Sequence, residues 1–268
     1  MIDFIADYIE HLHDLSRAET TRARYEGILR RMDRNLPEGL IAATEPELRE
    51  WIYVRDRDKA TRHQRRAAVV GFFAFACDPH RSPRLDHNPA LYLPKVKLPR
   101  RYPRPAATEA LRDILARAEG QLRTFCLLAA YEGARCIEIS NLDRQDITSG
   151  ETLLHGKGDK TRLVPTHPDV WEAVKDMPAG PVALSLRGKR QSAHRVSNVG
   201  SAGLRKLGYP LSLHRLRHWY GTETFDVVQD LRAVQELLGH ASVGTTQLYV
   251  QVSKKRMTEA VHGLPKLT

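Results

Sequence analysis

Between Asp78 and Arg104 the chain loses helical periodicity and is built from Pro, Asn, His and basic residues. A segment of that kind has no amphipathic face to bury and reads as a connection between separately cored regions. It constrains the fold more than any other feature, because it splits 268 residues into two parts that can each enclose a core. The expected organisation is a helical domain over 1–95, a basic linker over 96–106 and a second domain over 107–268.

The first part is helical by pattern. Ile2, Ile5, Ile9 and Leu12 recur at three- and four-residue intervals. Thr44, Pro46 and Glu47 form a capping-box signature that opens another helix. Four helices are expected up to Cys77, the last being the apolar run from Ala67 to Cys77, which is shorter than the ~20 residues a bilayer span requires. The acidic, amphipathic N-terminus has no signal-peptide layout, so the expected location is the cytoplasm.

In the second part, Thr108 opens a helix through Leu111, Ile114 and Leu115. An apolar helix from Leu122 to Tyr131 follows, which Gly133 can end in a left-handed conformation. Thr152 to His155 and Thr161 to Pro165, around Gly156 and Gly158, read as a β-hairpin. Helices are then expected at Ser192 to Leu207, Leu213 to Phe225, Val228 to Leu238 and, briefly, Thr246 to Val250. The fold class is mainly α, with one small antiparallel sheet.

Charge narrows the partner. Lys and Arg total 42 against 32 Asp and Glu, a net charge of +10. Such an excess favours a polyanion, nucleic acid first. Lys95, Lys97, Arg100, Arg101 and Arg104 share one stretch without an acidic residue. Arg62, Arg65 and Arg66 form a second cluster before Ala67, and Arg187, Lys189, Arg190 and Arg195 a third. Cys77, Cys126 and Cys136 have neither disulfide-framework nor zinc-site spacing.

Four segments concentrate polar chemistry in apolar surroundings: YEGARCIEISNL around Arg135, LLHGKGDKTRLVP around Lys157, LHRLRH with His214 and Arg217, and LLGHASVGTTQLYVQV with His240 and Tyr249. Taken singly, each has a plain reading. Arg135 can pair with Glu138, His240 can cap a helix, and Tyr249 can be a packing residue. His214 and Arg217, spaced i, i+3, lie on one helix face and favour an anion such as phosphate. His214 and His218 have metal-ligand spacing, but Arg215 stands between them and Arg217 disfavours a cation. Together the segments supply the parts of a phosphoryl transfer. Two arginines neutralise the equatorial oxygens, cations and a histidine activate a phenol, and a lysine protonates the leaving alkoxide.

In order and spacing, these segments resemble the tyrosine site-specific recombinases, the phage integrase family. The match lies in GARCIEISNL, GKGDKTRLVP, H-x-x-R and GHASVGTTQLY over the whole second domain. The resemblance implies a helical, SAM-like core-binding domain followed by a mostly α catalytic domain, in the two-domain form without an arm-binding domain. It implies that Tyr249 attacks the scissile phosphate to form a 3′-phosphotyrosyl link. Arg135 and Arg217 would hold the nonbridging oxygens, and His214 would act as general acid/base. Lys157 would protonate the 5′-oxygen, with Lys160 as the competing candidate, and His240 would hydrogen-bond the phosphate. The basic residues Arg62, Arg65, Arg66, Lys95, Lys97, Arg100, Arg101 and Arg195 would contact DNA. The implied partners are double-stranded DNA and further copies of the chain, as a tetramer on DNA, with directionality or host DNA-bending factors as additional ones. No metal, ATP or other cofactor is implied. The segment VSKKRMTEAVHGL after Tyr249 is expected to form a helix that docks on a neighbouring protomer. Two other functions share parts of this reading: a catalytically silent DNA-binding module, and a relaxing enzyme like the type IB topoisomerases.

Overall fold

A computed structural model of the chain describes residues 3–55, 57–99, 104–156, 158 and 160–239. The chain divides into two compact units, Met1–Arg100 and Arg101–Thr268.

The first unit contains α1 (Phe4–Asp14), α2 (Glu19–Asn35), α3 (Glu45–Ile52) and α4 (Lys59–Ala76). The Asp3 carboxylate caps α1 by accepting from the backbone N–H groups of Ile5 and Ala6, each at 3.1 Å. Phe4, Ile5, Tyr8 and Leu12 then line its buried stripe. At α3 the Glu47 carboxylate accepts from both the N–H and the hydroxyl of Thr44, at 2.8 and 2.7 Å, with Pro46 in the first turn. The helix expected at Ala67 begins at Lys59 instead, capped by Asp58. Its first two turns are polar, so the apolar run marks only the half that is buried. Phe72 and Phe73 fill the centre with Leu29, Met32, Leu48 and Ile52, and the Tyr8 ring meets Phe72 edge-on at 5.9 Å.

The aperiodic segment after Cys77 is irregular, yet part of it is packed. Ala90 and Leu93 are buried in the same core. Arg66 grips the Leu93 carbonyl through Nε and Nη2 at 3.1 and 2.8 Å.

The second unit runs α5 (Thr108–Arg117), α6 (Gly120–Tyr131), α7 (Cys136–Asn141), a 3-10 turn (Arg144–Asp146), β1 (Glu151–His155), β2 (Thr161–Pro165), α8 (Pro168–Val174), α9 (Ala193–Lys206), α10 (Leu213–Val228) and α11 (Leu231–Leu238). Among the described residues the one sheet is the antiparallel β1–β2 pair, with Leu154 opposite Arg162 and Thr152 opposite Val164. The mainly α fold with a small antiparallel sheet is thus as expected. α6 is buried without interruption from Thr124 to Ala130 and is the axis of this core. α9 packs closely because Gly200 and Gly203 face it inward, where an added Cβ would meet Leu213 and Leu122 side chains at 2.6 Å.

The sequence reading passes over α8, which His167 caps and Pro168 opens. It also places the α10–α11 junction too early. Gln229 adopts a left-handed conformation (φ 55°) that ends α10, and Asp230 caps α11. The short helix expected from Thr246 to Val250 and the docking segment after Tyr249 lie outside the described residues. Among the described residues, no helix is long and apolar enough to cross a membrane.

Candidate active site

The site begins where α6 ends. Gly133 has φ +59°, and an added Cβ would stand 2.5 Å from the Tyr220 ring, so the turn demands glycine on both counts. The chain reverses there, and Arg135 becomes the residue preceding α7. Its N–H donates to Glu138 Oε2 at 2.7 Å, its Nη1 to Glu138 Oε1 at 2.7 Å, and its Nη2 to the Gly239 carbonyl at 3.0 Å. The ion pair with Glu138 is therefore present.

Glu138 holds more than that pair. Its side chain is only 2% exposed, and Arg162 of β2 approaches Oε2 through Nη2 at 2.9 Å. Arg217 of α10 is 1% exposed and places Nη1 at 3.6 Å from the same oxygen. Burial would raise the carboxyl pKa. The hydrogen bond and charge of Arg162, the Arg135 N–H and the Arg217 charge outweigh it and hold Glu138 below the usual carboxylate range. One carboxylate thus gathers three guanidinium groups, which leaves an excess of positive charge where an anion would sit.

The same three arginines bind three successive carbonyls at the end of α11: Arg162 takes Leu237, Arg217 takes Leu238 at 2.6 Å, and Arg135 takes Gly239 at 3.0 Å. Those carbonyls are the ones a helix leaves without internal partners, and cations satisfy both their lone pairs and the helix dipole. Arg162 and Arg217 also share the Gly133 carbonyl. The helix end that leads toward His240 and Tyr249 is in this way tied to the arginine cluster.

His214 lies one turn before Arg217 on α10, exposed, with its ring 4.2 Å from that of His218 at 61°. Partial burial and the charges of Arg217 and Arg135 lower its pKa, so the ring is neutral at pH 7 and able to accept a proton. His218 is pushed down to about 4, first by burial and then by His214 and the neighbouring arginines.

A second buried carboxyl stands beside the cluster. Glu132 accepts from the Thr152 hydroxyl at 2.9 Å, and its other oxygen has no hydrogen-bond partner. Burial pushes it up to about 7, with the Thr152 hydrogen bond and the Arg162 charge pulling the other way.

The structure therefore brings Arg135, His214 and Arg217 together. Lys157, His240 and Tyr249 lie outside the described residues, as do Arg100 and Arg101. Lys160 is exposed beyond the hairpin turn. Arg62, Arg65 and Arg66 lie within the first turns of α4 and are engaged with their own unit. They donate to the carbonyls of Arg55 at 2.7 Å, Trp51 at 2.8 Å and Leu93, and Arg65 also covers the Trp51 ring at 4.1 Å. Lys95, Lys97, Arg104, Arg187, Lys189 and Arg195 are exposed, whereas Arg190 pairs with Asp143 at 2.6 Å.

Sequence reasoning assigned no role to Arg162. A signal was available, because Arg162 shares the strand phase of buried Val164 and is a charged residue on the core-facing side of β2.

The family described as the phage integrase family matches residues 105–256. The tyrosine recombinase XerC of Corynebacterium glutamicum is 32% identical over 280 residues, covering 96% of this chain and 89% of its own. Among solved structures, a lambda integrase (75–356) dimer bound to a COC′ core site superimposes with a TM-score of 0.76 at 20% identity, over 92% of this chain and 93% of that one. A lambda integrase tetramer bound to a Holliday junction gives a TM-score of 0.71 at 19% identity, over 89% and 76%. At these identities the two structures speak to the fold.

Proposed function

The chain belongs to the phage integrase family, and on that premise we propose how it works as a tyrosine recombinase, which cuts and rejoins DNA at specific sites through its own residues. The observation that carries the reading is the Glu138 cluster. Arg135 and Arg217 converge on one buried carboxylate, and His214 stands one turn away.

In the proposed reaction the Tyr249 oxygen attacks the scissile phosphorus, the new O–P bond forms, and the bond to the 5′-oxygen breaks. The phenol proton passes to His214, which partial burial and then the neighbouring cations keep neutral beforehand. Charge on the equatorial oxygens is met by the guanidinium groups of Arg135 and Arg217, already oriented by Glu138 and by the α11 carbonyls. His240, next after Gly239, hydrogen-bonds the same phosphate. A hairpin lysine, Lys157 ahead of Lys160, protonates the departing 5′-oxygen. The phosphotyrosyl link conserves the energy of the broken bond, so a 5′-hydroxyl from a second duplex reverses the attack without ATP.

We assign the helical unit to binding the core of the DNA site and the second unit to catalysis. The exposed basic residues Lys95, Lys97 and Arg195 are placed against phosphate, with Arg100 and Arg101 following the two lysines in sequence. Arg62, Arg65 and Arg66 serve first to hold the helical unit together, and present only their remaining exposed surface to DNA. The working assembly is a tetramer on two duplexes in the cytoplasm, with directionality or bending factors where the site requires them.

A nicked suicide duplex tests the reading. A pool randomised across the binding site is offered to the protein, and complexes that survive denaturant are recovered. Wild type captures DNA covalently, and Tyr249→Phe captures none. Capture by Tyr249→Phe, or none by wild type, contradicts it.

A further inference from the structure

Arg162 is the arginine of the cluster to which neither the family resemblance nor the proposed mechanism assigns a role, yet its side chain makes four hydrogen bonds across the cluster. Its side chain is 10% exposed. Nη2 reaches Glu138 Oε2 at 2.9 Å and the Gly133 carbonyl at 3.1 Å, Nε lies 3.5 Å from Glu138 Oε1, and Nη1 donates to the Leu237 carbonyl. One guanidinium fork thus ties β2 to the α6–α7 turn, to α7 and to the end of α11.

The hairpin turn departs from the same place. An added Cβ on Gly156 would stand 3.7 Å from Glu138 Oε1 and 3.0 Å from the Lys160 carbonyl. Gly239 fits equally closely on the other side, where an added Cβ would meet Arg162 Cδ at 2.6 Å. Other anchors of the sheet, Leu154 and Val164, are apolar and lie on the core face. They resist lifting of the strands but do not fix the turn relative to a phosphate.

We infer that Arg162 is a positioning residue: its fork locks the β1–β2 hairpin onto Glu138, so that the turn and the guanidinium groups of Arg135 and Arg217 address one phosphate. The inference rests on the recombinase reading, in which the turn supplies the proton for the leaving oxygen. Its consequence is specific. Loosening the hairpin impairs protonation of the leaving group while the carboxylate still orients Arg135 and Arg217. Lysine cannot replace this arginine, because a single ammonium lacks the planar fork that spans separate acceptors.

The leaving atom distinguishes this role from a merely structural one. An alkoxide needs a general acid, whereas a thiolate, with a reference pKa of about 8.5, departs without one. The test uses two versions of a nicked suicide duplex selected from a randomised pool by covalent capture with wild type. One carries the normal 5′-oxygen and the other a bridging 5′-sulfur at the scissile phosphate. Arg162→Lys and Arg162→Gln are expected to slow capture about 10- to 100-fold on oxygen, and to come within a few-fold of wild type on sulfur. Capture of the sulfur duplex also reports that the variant is folded. Wild-type rates on both duplexes, or equal losses on both in Arg162→Lys protein with an unchanged circular dichroism spectrum, overturn the inference while leaving the recombinase reading intact. A wild type that captures no duplex overturns that reading, and the inference with it.

Discussion

Arg217 Nη1 stands 3.6 Å from Glu138 Oε2 although the two side chains are 1% and 2% exposed. A buried ion pair of this kind is weak evidence for stability, since desolvation offsets much of the attraction. Its value here is orientation. Glu138 fixes where two guanidinium groups point before any phosphate arrives, so the site meets transition-state charge without reorganising.

Removing that carboxylate should be costly on both counts. Glu138→Gln removes the charge that three guanidinium groups share and puts an amide NH2 donor where one acceptor oxygen stood, and loss of one charged partner of a buried pair typically costs about 3–5 kcal/mol. Urea denaturation is expected to show a destabilisation of that order, and covalent DNA capture to fall in parallel. A variant as stable as wild type contradicts the account of the cluster.

Glu132 gives a pH dependence whose sign follows from its environment. Burial raises its pKa from the ordinary 4.5 to about 7, so between those values the folded chain holds a proton that the unfolded chain has released. Stability from this group is complete at low pH and is lost as pH rises from about 4.5 through 7. The isostere Glu132→Gln keeps the Thr152 hydrogen bond and removes the titration. The Tm difference, variant minus wild type, is expected to grow between pH 5 and pH 8. A difference independent of pH refutes it.

The two histidines of α10 titrate in the opposite sense. Both have lowered pKa values, so the neutral rings fit the fold and stability is lost as pH falls below 6.5, continuing to about 4 for His218. Carbon-13 NMR of labelled histidine is expected to place the His214 midpoint below 6.5 and that of His218 near 4. A His214 midpoint above 6.5 contradicts this, since burial and the neighbouring arginines should lower it.

Gly133 is the conformational hinge of the site. Gly133→Ala forces a left-handed backbone that costs about 1–2 kcal/mol for a residue with a Cβ, and it drives that Cβ into Tyr220. Both Arg162 and Arg217 donate to the carbonyl of this residue. The substitution is therefore expected to lower both Tm and the rate of DNA capture. Wild-type capture in Gly133→Ala contradicts the idea that the turn positions the arginines.

Much of this was legible in the sequence because local physics wrote it there. The Thr44–Glu47 capping box, the buried stripe of α1, the left-handed Gly133 and the hairpin strands each announce themselves within a few residues. Arg135, His214 and Arg217 were legible as a set because their chemistry is coherent. What was not legible depends on contacts distant in sequence. Arg62, Arg65 and Arg66 look like a free basic patch until Arg55, Trp51 and Leu93 supply carbonyl acceptors across the helical unit. Arg162 meets acceptors 24, 29 and 75 residues away, and no periodicity encodes such a meeting. α8 was missed because seven residues give too little periodicity to distinguish a helix from a loop, although Pro168 marks its start.

The central claim is that the Tyr249 oxygen becomes bonded to phosphorus. Captured complexes digested with nuclease and then trypsin should yield peptide 233–254, which contains Tyr249 as its only tyrosine, with a 3′-linked nucleotide remnant on that side chain. A remnant on any other residue, or an unmodified peptide from a denaturant-resistant complex, contradicts the account.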